Sequence, residues 1–250
     1  MSRRSSQVES DDDGGVEPVY LIEDPNRHGK TLAATVAAAI ERDVVARGWP
    51  VGEVIASEHE LLRRYGVSVP VLRQAVGVLE SHQVARMRRG PGGGLVVTAP
   101  SESSVAASVS LFLEHLNVPR DEVASARAPI EVACVQLATE QLDETGIARL
   151  RNLVASELDR YATGDVAAMR ELHVVIAELG GNRVLELFVK TLMTLSRHRF
   201  PGDRTPTAKE QAALERSHED HEAIVEAMVG GDAALARHRM LRHLAEIETD

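Results

Sequence analysis

Apolar residues recur every three to four positions along residues 31–47, which predicts an amphipathic helix. Ser57 and Glu60 have the spacing of a capping box and mark the start of a second helix. Gly66 follows that helix, and a third helical pattern covers residues 69–82. Two short helices joined by a tight turn that contains glycine fit helix-turn-helix geometry.

Alternating apolar and polar residues replace the helical pattern in the next segment. Residues 84–88 and 95–98 are predicted as two short strands, and the turn between them is rich in glycine. Such a pair forms a β-hairpin, and a helix-turn-helix followed by a β-hairpin is a winged helix. We therefore expect a winged helix-turn-helix DNA-binding domain at residues 30–99.

Helical periodicity alone is found from residue 105 onward. Short connections between such helices favour antiparallel neighbours in a bundle. The predicted fold class is mainly α, with an N-terminal winged helix-turn-helix, a linker at 100–104 and an all-α antiparallel helical bundle at 105–250. The seven predicted helices of the bundle cover residues 104–116, 120–141, 144–162, 165–179, 182–199, 208–229 and 232–248.

Residues 1–29 are polar and acidic, which predicts a disordered tail. This N-terminus has no apolar core of the kind found in secretory signals, and no window approaches the roughly 18 apolar residues of a membrane-spanning helix. With one cysteine, Cys134, an internal disulfide and a multi-cysteine zinc module are both excluded. Together these features predict a cytoplasmic protein with no membrane partner.

Charge is distributed unevenly along the chain. The formal net charge of the 250 residues is −10. Residues 57–99 nevertheless carry six arginines against three glutamates, whereas residues 101–250 carry 16 basic against 25 acidic residues. An acidic protein can bind duplex DNA through one small basic face that fits a groove. Aromatic residues are only 3% of the chain, which disfavours stacking platforms for single strands.

The second helix of a helix-turn-helix contacts base edges through its N-terminal residues. Here these are Ser68, Val69 and, one turn later, Arg73, whose guanidinium suits guanine or phosphate. Arginines at the end of the preceding helix and residues of the wing complete the predicted DNA contacts: Arg63, Arg64, Arg88, Arg89, Gly92 and Gly93. The alternative is a protein-interaction module whose arginines are merely solvated.

The GntR family of bacterial transcription regulators has an N-terminal domain that resembles the segment SEHELLRRYGVSVPVLRQAVGVLESHQVARMRRGPGGGLVV, within about residues 31–99. Members of the family usually have an arginine after the serine of "GVS", where it commonly reads a guanine. This chain has Val69 there, so the operator sequence cannot be inferred from the resemblance. DNA binding is then expected to depend more on Arg73 and the wing. His59 lies where relatives often have another DNA-contacting residue.

Three of the ten histidines, His173, His221 and His243, lie on apolar faces of predicted helices. A buried imidazole without a polar partner costs about a few kcal/mol. Convergence on one metal ion would satisfy all three, and three neutral imidazoles with an open fourth position suit a Zn²⁺-like ion. The alternative is a metal-free polar cavity that these histidines help to line.

The FCD ligand-binding domain of the FadR subfamily resembles residues 104–248 on three segments, ASARAPIEVACVQLA, LHVVIAELGGNRVL and SHEDHEAIVEAMVGGDAALARHRMLRHL. In metal-binding members of that subfamily the ligands are an aspartate and three histidines. The resemblance assigns His173, His221 and His243 to the histidines and Met169 to the aspartate position. Asp165 is a poor substitute because it lies roughly 12 Å from His173 along the helix axis. The implied cofactor is a divalent, Zn-like metal whose remaining ligands are water or an effector carboxylate.

Arg127 lies four residues before Glu131 on a predicted helix. One interpretation is an ion pair along the helix, worth about a few tenths of a kcal/mol. The resemblance implies another, in which this arginine points into the cavity and its guanidinium binds the carboxylate of an organic acid. Asn182, also a predicted N-cap, and Arg197 are the other candidate effector-binding residues.

These predictions describe a ligand-responsive transcription regulator rather than an enzyme. It would be a homodimeric repressor that binds a palindromic double-stranded DNA operator and is modulated by a small organic or fatty acid-derived effector. The rival is a metal-dependent hydrolase in which the three histidines activate water. That rival lacks a carboxylate at a spacing that would mark a general base. A protein-interaction scaffold explains neither the clustered arginines nor the histidines on apolar faces.

Overall fold

The computed structural model describes residues 31–165, 167–196 and 207–249. The chain divides into two compact units, residues 1–99 and 100–250. The predicted tail at 1–29 lies outside the described residues. None of the helices in the described ranges is both long and apolar enough to cross a membrane.

The first unit is a winged helix. Its elements are the helices α1 (Leu32–Ala46), α2 (Glu58–Tyr65) and α3 (Val69–Ser81) and the strands β1 (Val54–Ala56), β2 (Ala85–Arg88) and β3 (Gly94–Val97). The strands form an antiparallel sheet in the order β1-β3-β2. The sequence pattern does not predict β1, because three residues are too few to show an alternation.

Local signals in the sequence set the ends of α2. The capping box forms as predicted: the Ser57 N–H donates to Glu60 Oε2 at 2.7 Å, and the Glu60 N–H donates to Ser57 Oγ at 3.3 Å. Gly66 ends the helix with a φ of 61°, a left-handed conformation that glycine adopts without strain. The core of the unit contains fully buried side chains from all three helices and from β3, namely Ile40, Leu61, Leu72, Leu79 and Leu95.

The second unit is helical throughout its described residues. It contains α4 (Glu102–His115), α5 (Arg120–Ser125), α6 (Arg127–Gln141), α7 (Glu144–Ala162), α8 (Ala168–Leu179), α9 (Arg183–Leu195), α10 (Ala208–Val229) and α11 (Ala233–Thr249). Its core is built from apolar side chains that include Leu150, Leu172, Ile176, Ile224 and Met240. The predicted fold class, a winged helix followed by a helical bundle, is confirmed.

Four predicted boundaries are wrong. The helix predicted to start at 165 starts at Ala168. The helix predicted at 120–141 is interrupted at Ala126, because Pro129 has no N–H for the Ser125 carbonyl and its ring would clash with it. Most of the predicted linker is helical, since α4 begins at Glu102 behind its N-cap Ser101. The helix predicted to end at 199 ends at Leu195.

Candidate functional site

Three histidines from three helices converge in the core of the second unit. His173 on α8, His221 on α10 and His243 on α11 are 3%, 0% and 1% exposed. One ring nitrogen of each lies within 4.8 Å of a ring nitrogen of the other two. The Nε2 atoms of His221 and His243 are 3.1 Å apart. The structure thus brings together the three histidines that the sequence singled out.

Each of these imidazole rings is oriented by a carboxylate at its Nδ1. The distances are 2.5 Å for His173–Glu131, 2.7 Å for His221–Glu157 and 3.4 Å for His243–Asp220. A neutral ring whose Nδ1–H donates to a carboxylate has its lone pair on Nε2. Carboxylates orient metal-ligating histidines in proteins in this same way.

Each of the three carboxylates has a second partner. The second contacts are 2.7 Å for Glu131 Oε1 with Arg127 Nε, 2.9 Å for Glu157 Oε2 with His218 Nδ1 and 2.6 Å for Asp220 Oδ1 with Arg242 Nη2. Because a buried charge is tolerated when it is paired and hydrogen-bonded, these contacts stabilise the cluster. Sequence reasoning missed Glu157 and Asp220. Glu157 carried a signal, since it occupies a core position three residues after Val154 and seven after Leu150.

The cluster favours a charged carboxylate at Glu131 and neutral imidazoles at His221 and His243. Burial alone would raise the pKa of Glu131, but its contacts with His173 and Arg127 lower it to about 2. Burial lowers the pKa of His243 to about 3, although the hydrogen bond to Asp220 opposes this shift. Burial also lowers the pKa of His221. A neutral imidazole is the form that binds a metal ion.

The donor set fits a divalent metal ion. With lone pairs on both Nε2 atoms, His221 and His243 repel each other at 3.1 Å, and a shared cation removes that repulsion. A Zn–N bond of about 2.0–2.1 Å in a tetrahedral site places two ligand nitrogens about 3.3 Å apart. Met169 is buried, and Asp165 is bound to Arg160 at 2.6 Å. The described residues at this site therefore supply three nitrogen ligands and no carboxylate ligand.

Arg127, the first residue of α6, is buried with 7% exposure. The ion pair along the helix forms, because Nε donates to Glu131 Oε1 at 2.7 Å. The terminal nitrogens of the guanidinium make no hydrogen bond to any described residue. Since Glu131 also contacts His173, one carboxylate separates this guanidinium from the histidine cluster. A buried guanidinium with unbonded terminal nitrogens suits bidentate binding of a carboxylate.

The other candidate effector-binding residues receive no such support. Asn182 is the N-cap of α9, and its Oδ1 accepts hydrogen bonds from the Val184 and Leu185 N–H groups at 3.0 and 3.2 Å. Its side-chain oxygen is thus used by the helix. Arg197 lies outside the described residues.

The outer face of α3 in the first unit carries the exposed side chains of Val69, Arg73 and Gln74. Ser68 is the N-cap of this helix, and its hydroxyl makes no capping hydrogen bond. Neither Arg73 nor Gln74 has a hydrogen bond or ion pair with a residue that the structure describes. Sequence reasoning missed Gln74, although its place beside Arg73 on the polar side of the helix marked it.

The wing turn between β2 and β3 presents Arg88 and Arg89 to solvent. Arg88 Nη2 donates to the Gly92 carbonyl at 2.9 Å. A Cβ on Gly93 would lie 2.4 Å from the Arg88 carbonyl oxygen, and Gly92 has a φ of 70°. The turn itself therefore requires both glycines, with or without DNA.

Helix α2 precedes the turn into α3 and supplies the remaining predicted DNA contacts. His59 and Arg63 are exposed. Arg64 is exposed as well, and its Nη1 forms an ion pair with Asp43 Oδ2 at 3.0 Å. Exposed pairs of this kind are weak, worth about 0–1 kcal/mol, so Arg64 can exchange this partner for a phosphate at little cost.

Comparison with known proteins decides the family. Residues 32–96 match the model of bacterial regulatory proteins of the gntR family, and residues 122–246 match that of the FCD domain. The chain belongs to the GntR family. The Uxu operon regulator of Haemophilus influenzae is 24% identical to this GntR protein over 222 residues, 85% of this chain and 79% of that protein. The Exu regulon transcriptional regulator of Escherichia coli K12 is 24% identical over 223 residues, 89% and 84%.

A solved structure supports the fold of this GntR-family protein. Streptococcus agalactiae GntR aligns with a TM-score of 0.65 and 20% identity over 86% of this chain and 98% of that one. The protein is a bacterial transcription regulator with a DNA-binding winged helix and an FCD ligand-binding domain, and not an enzyme. The hydrolase alternative is therefore wrong, since the matching families and relatives are regulators. Membership of the FadR subfamily stays a prediction.

Proposed function

We propose that this GntR-family protein is a cytoplasmic, homodimeric repressor that binds a palindromic operator. A small organic acid or acyl derivative, bound beside a divalent metal in the FCD domain, would release it. The observation that carries the proposal is the contact of Glu131 with both Arg127 and His173, at 2.7 and 2.5 Å. This contact places next to the histidine cluster a guanidinium whose terminal nitrogens have no hydrogen bond to the residues that the structure describes.

The chemistry of Arg127 and the adjacent histidine cluster favours an anionic effector. Arg127 offers a fork of donors that matches a carboxylate, in a buried environment where charge-assisted hydrogen bonds are strong. A divalent ion held by His173, His221 and His243 supplies a second positive charge for a carboxylate. The carboxylates of the cluster are already bonded to histidine or arginine, so they orient the site.

Lys190 on α9 links the helix that carries His173 to the first helix of the second unit. Its Nζ lies 3.0 Å from Glu102 Oε1 on α4 and 3.4 Å from Glu178 Oε1 on α8. Helix α8 carries His173, and α4 is the first helix after the winged helix in the chain. An effector shifts the operator affinity only if it binds the two conformations of the regulator unequally. The Lys190 contacts support a response of α4 to occupancy at α8.

An exposed apolar surface supports the proposed homodimer. Large apolar side chains are exposed on α4, at its C-cap and on α9, and α4 and α9 pack together. These side chains are Leu111, Phe112, Leu116, Val184 and Phe188. Exposed apolar side chains on neighbouring elements are typical of protein–protein contact surfaces. Two subunits related by a two-fold axis present two winged helices to a palindromic site.

The experiment has a DNA arm and an effector arm. The purified protein first selects its sites from genomic fragments at physiological salt, and its mass in solution is measured. A dimer on a symmetric site is expected. Organic acids and acyl derivatives are then added with Zn²⁺, and release of a labelled operator is followed by fluorescence anisotropy. Reporter transcription that rises when the protein is removed identifies a repressor.

Arg127→Lys is the decisive variant in the effector arm. Lysine keeps the charge beside Glu131 but loses the bidentate fork, so operator binding persists while release by the acid requires at least about tenfold more ligand. Arg151→Lys is the matched control, because Arg151 is an exposed arginine of the same unit. A monomer on an asymmetric site, or an Arg127→Lys variant that responds like the wild type, would overturn the proposal.

A further inference from the structure

The first turn of α3 places an apolar side chain where a helix-turn-helix contacts bases. Val69 is the first residue of this helix and is 36% exposed. The core side of the helix is formed by other residues, Leu72, Ala75, Val76 and Leu79. Val69 is therefore not one of the core residues of the unit, and part of its side chain is open to solvent.

The chemistry of Val69 limits what it can recognise. Its side chain has no hydrogen-bond donor or acceptor, and the next residue, Pro70, has no N–H. An aliphatic side chain in the major groove distinguishes bases by one apolar feature, the 5-methyl group of thymine. Exposed side chains further along α3 provide polar recognition, since Arg73 suits guanine and Gln74 suits adenine.

We propose that Val69 reads the 5-methyl group of a thymine in each operator half-site, an inference that rests on the proposed operator binding. Val69 and Arg73 are four residues apart on one face of α3, which separates them by about 6 Å along the helix axis. Base pairs of duplex DNA are about 3.4 Å apart. The thymine therefore lies within about two base pairs of the base that Arg73 contacts.

The experiment removes the methyl group alone. A consensus half-site is selected with the full-length protein from synthetic DNA, which contains no methylated cytosine. Each dT in that site is then replaced, one at a time, by dU, which keeps every hydrogen-bonding group of the base. Operator dissociation constants are measured for the wild type, Val69→Ala and the matched control Val51→Ala. Val51 is an exposed valine of the same unit that lies outside α3.

One dT→dU change near the Arg73 contact is expected to weaken wild-type binding about fourfold, the loss for one buried methyl-sized group. Val51→Ala retains this discrimination, and Val69→Ala, which lacks both γ-methyl groups, discriminates less between the dT and dU probes than the wild type does. Wild-type binding that is equal for dT and dU at every position, or discrimination in Val69→Ala as large as in the wild type, would overturn the inference alone. Failure to select any specific DNA would overturn the proposed function and this inference with it.

Discussion

The two units of this regulator differ in the environment of the charged side chains at their candidate sites, which are exposed in the first unit and buried in the second. On α3, Arg73 is exposed and has no partner among the described residues. In the histidine cluster, Glu131, Glu157 and Asp220 are buried, and each contacts two partners. An exposed cation stays hydrated until a phosphate or base edge replaces water. A buried carboxylate must be compensated in the folded chain before any ligand arrives.

This difference predicts where mutations act. Removing an exposed arginine of the first unit is expected to alter DNA binding and to leave folding nearly unchanged, because surface charges contribute little to stability. Removing a buried carboxylate of the second unit alters folding itself, because its partners lose their hydrogen bonds.

The largest expected effect is on folding, from Glu157→Leu. This change leaves the Nδ1 atoms of buried His221 and half-buried His218 without their carboxylate. Since each unsatisfied buried donor costs about 1–3 kcal/mol, the free energy of unfolding should fall by about 3 kcal/mol. Urea denaturation followed by circular dichroism measures this loss. Glu222→Gln removes an exposed carboxylate that lies 3.7 Å from Nε2 of the same His218, and it should change the free energy of unfolding little. Equal losses in the two variants would contradict the contrast.

Arg73→Ala should weaken operator binding without destabilising the fold. One bidentate contact to a base is worth about 1–3 kcal/mol, which corresponds to roughly 5- to 150-fold in the dissociation constant. Anisotropy titrations measure this change, and thermal denaturation should show no loss of stability. Unchanged operator affinity would mean that α3 does not contact bases through this residue.

Acidification should destabilise the metal-free protein. Folding lowers the pKa of His243 to about 3, so below the ordinary value of about 6.5 the unfolded chain takes up a proton that the folded chain refuses. The free energy of unfolding then falls by up to about 1.4 kcal/mol per pH unit for this residue. Urea denaturation of chelator-treated protein at pH 7.5, 6.5 and 5.5 tests it. His243→Gln should show a shallower slope, and a flat wild-type profile would refute the prediction.

The smallest expected effect is that of Arg64→Ala on stability. Its ion pair with Asp43 is exposed, so the free energy of unfolding should change by less than about 1 kcal/mol. If Arg64 contacts a phosphate, the salt dependence of operator binding should decrease by about one unit of slope. Titrations at several salt concentrations measure that slope. A large loss of stability in Arg64→Ala would show that exposed charges in the first unit stabilise its fold.

Much of the fold was predictable from short-range signals. The Ser57–Glu60 capping box, the glycine after α2 and the period of apolar residues fixed the helix-turn-helix. Errors arose where a single residue competed with the pattern, as Pro129 does in dividing the helix predicted at 120–141. Strand β1 was missed because its identity depends on pairing with β3, which no local pattern reveals.

Helical periodicity in the sequence was enough to predict that His173, His221 and His243 face the core, because it places them on apolar faces. The sequence also predicted the winged helix, the helical bundle and the exposed arginines of α3 and the wing, but neither strand β1 nor the break at Ala126. The partners of those histidines depend on the tertiary structure. Glu131, Glu157 and Asp220 come from three different helices, and the pairing of buried charges depends on how the helices pack. A buried charged group is tolerated only when a partner lies within hydrogen-bonding distance. The packing of the whole core sets the distances between helices and therefore determines which groups meet.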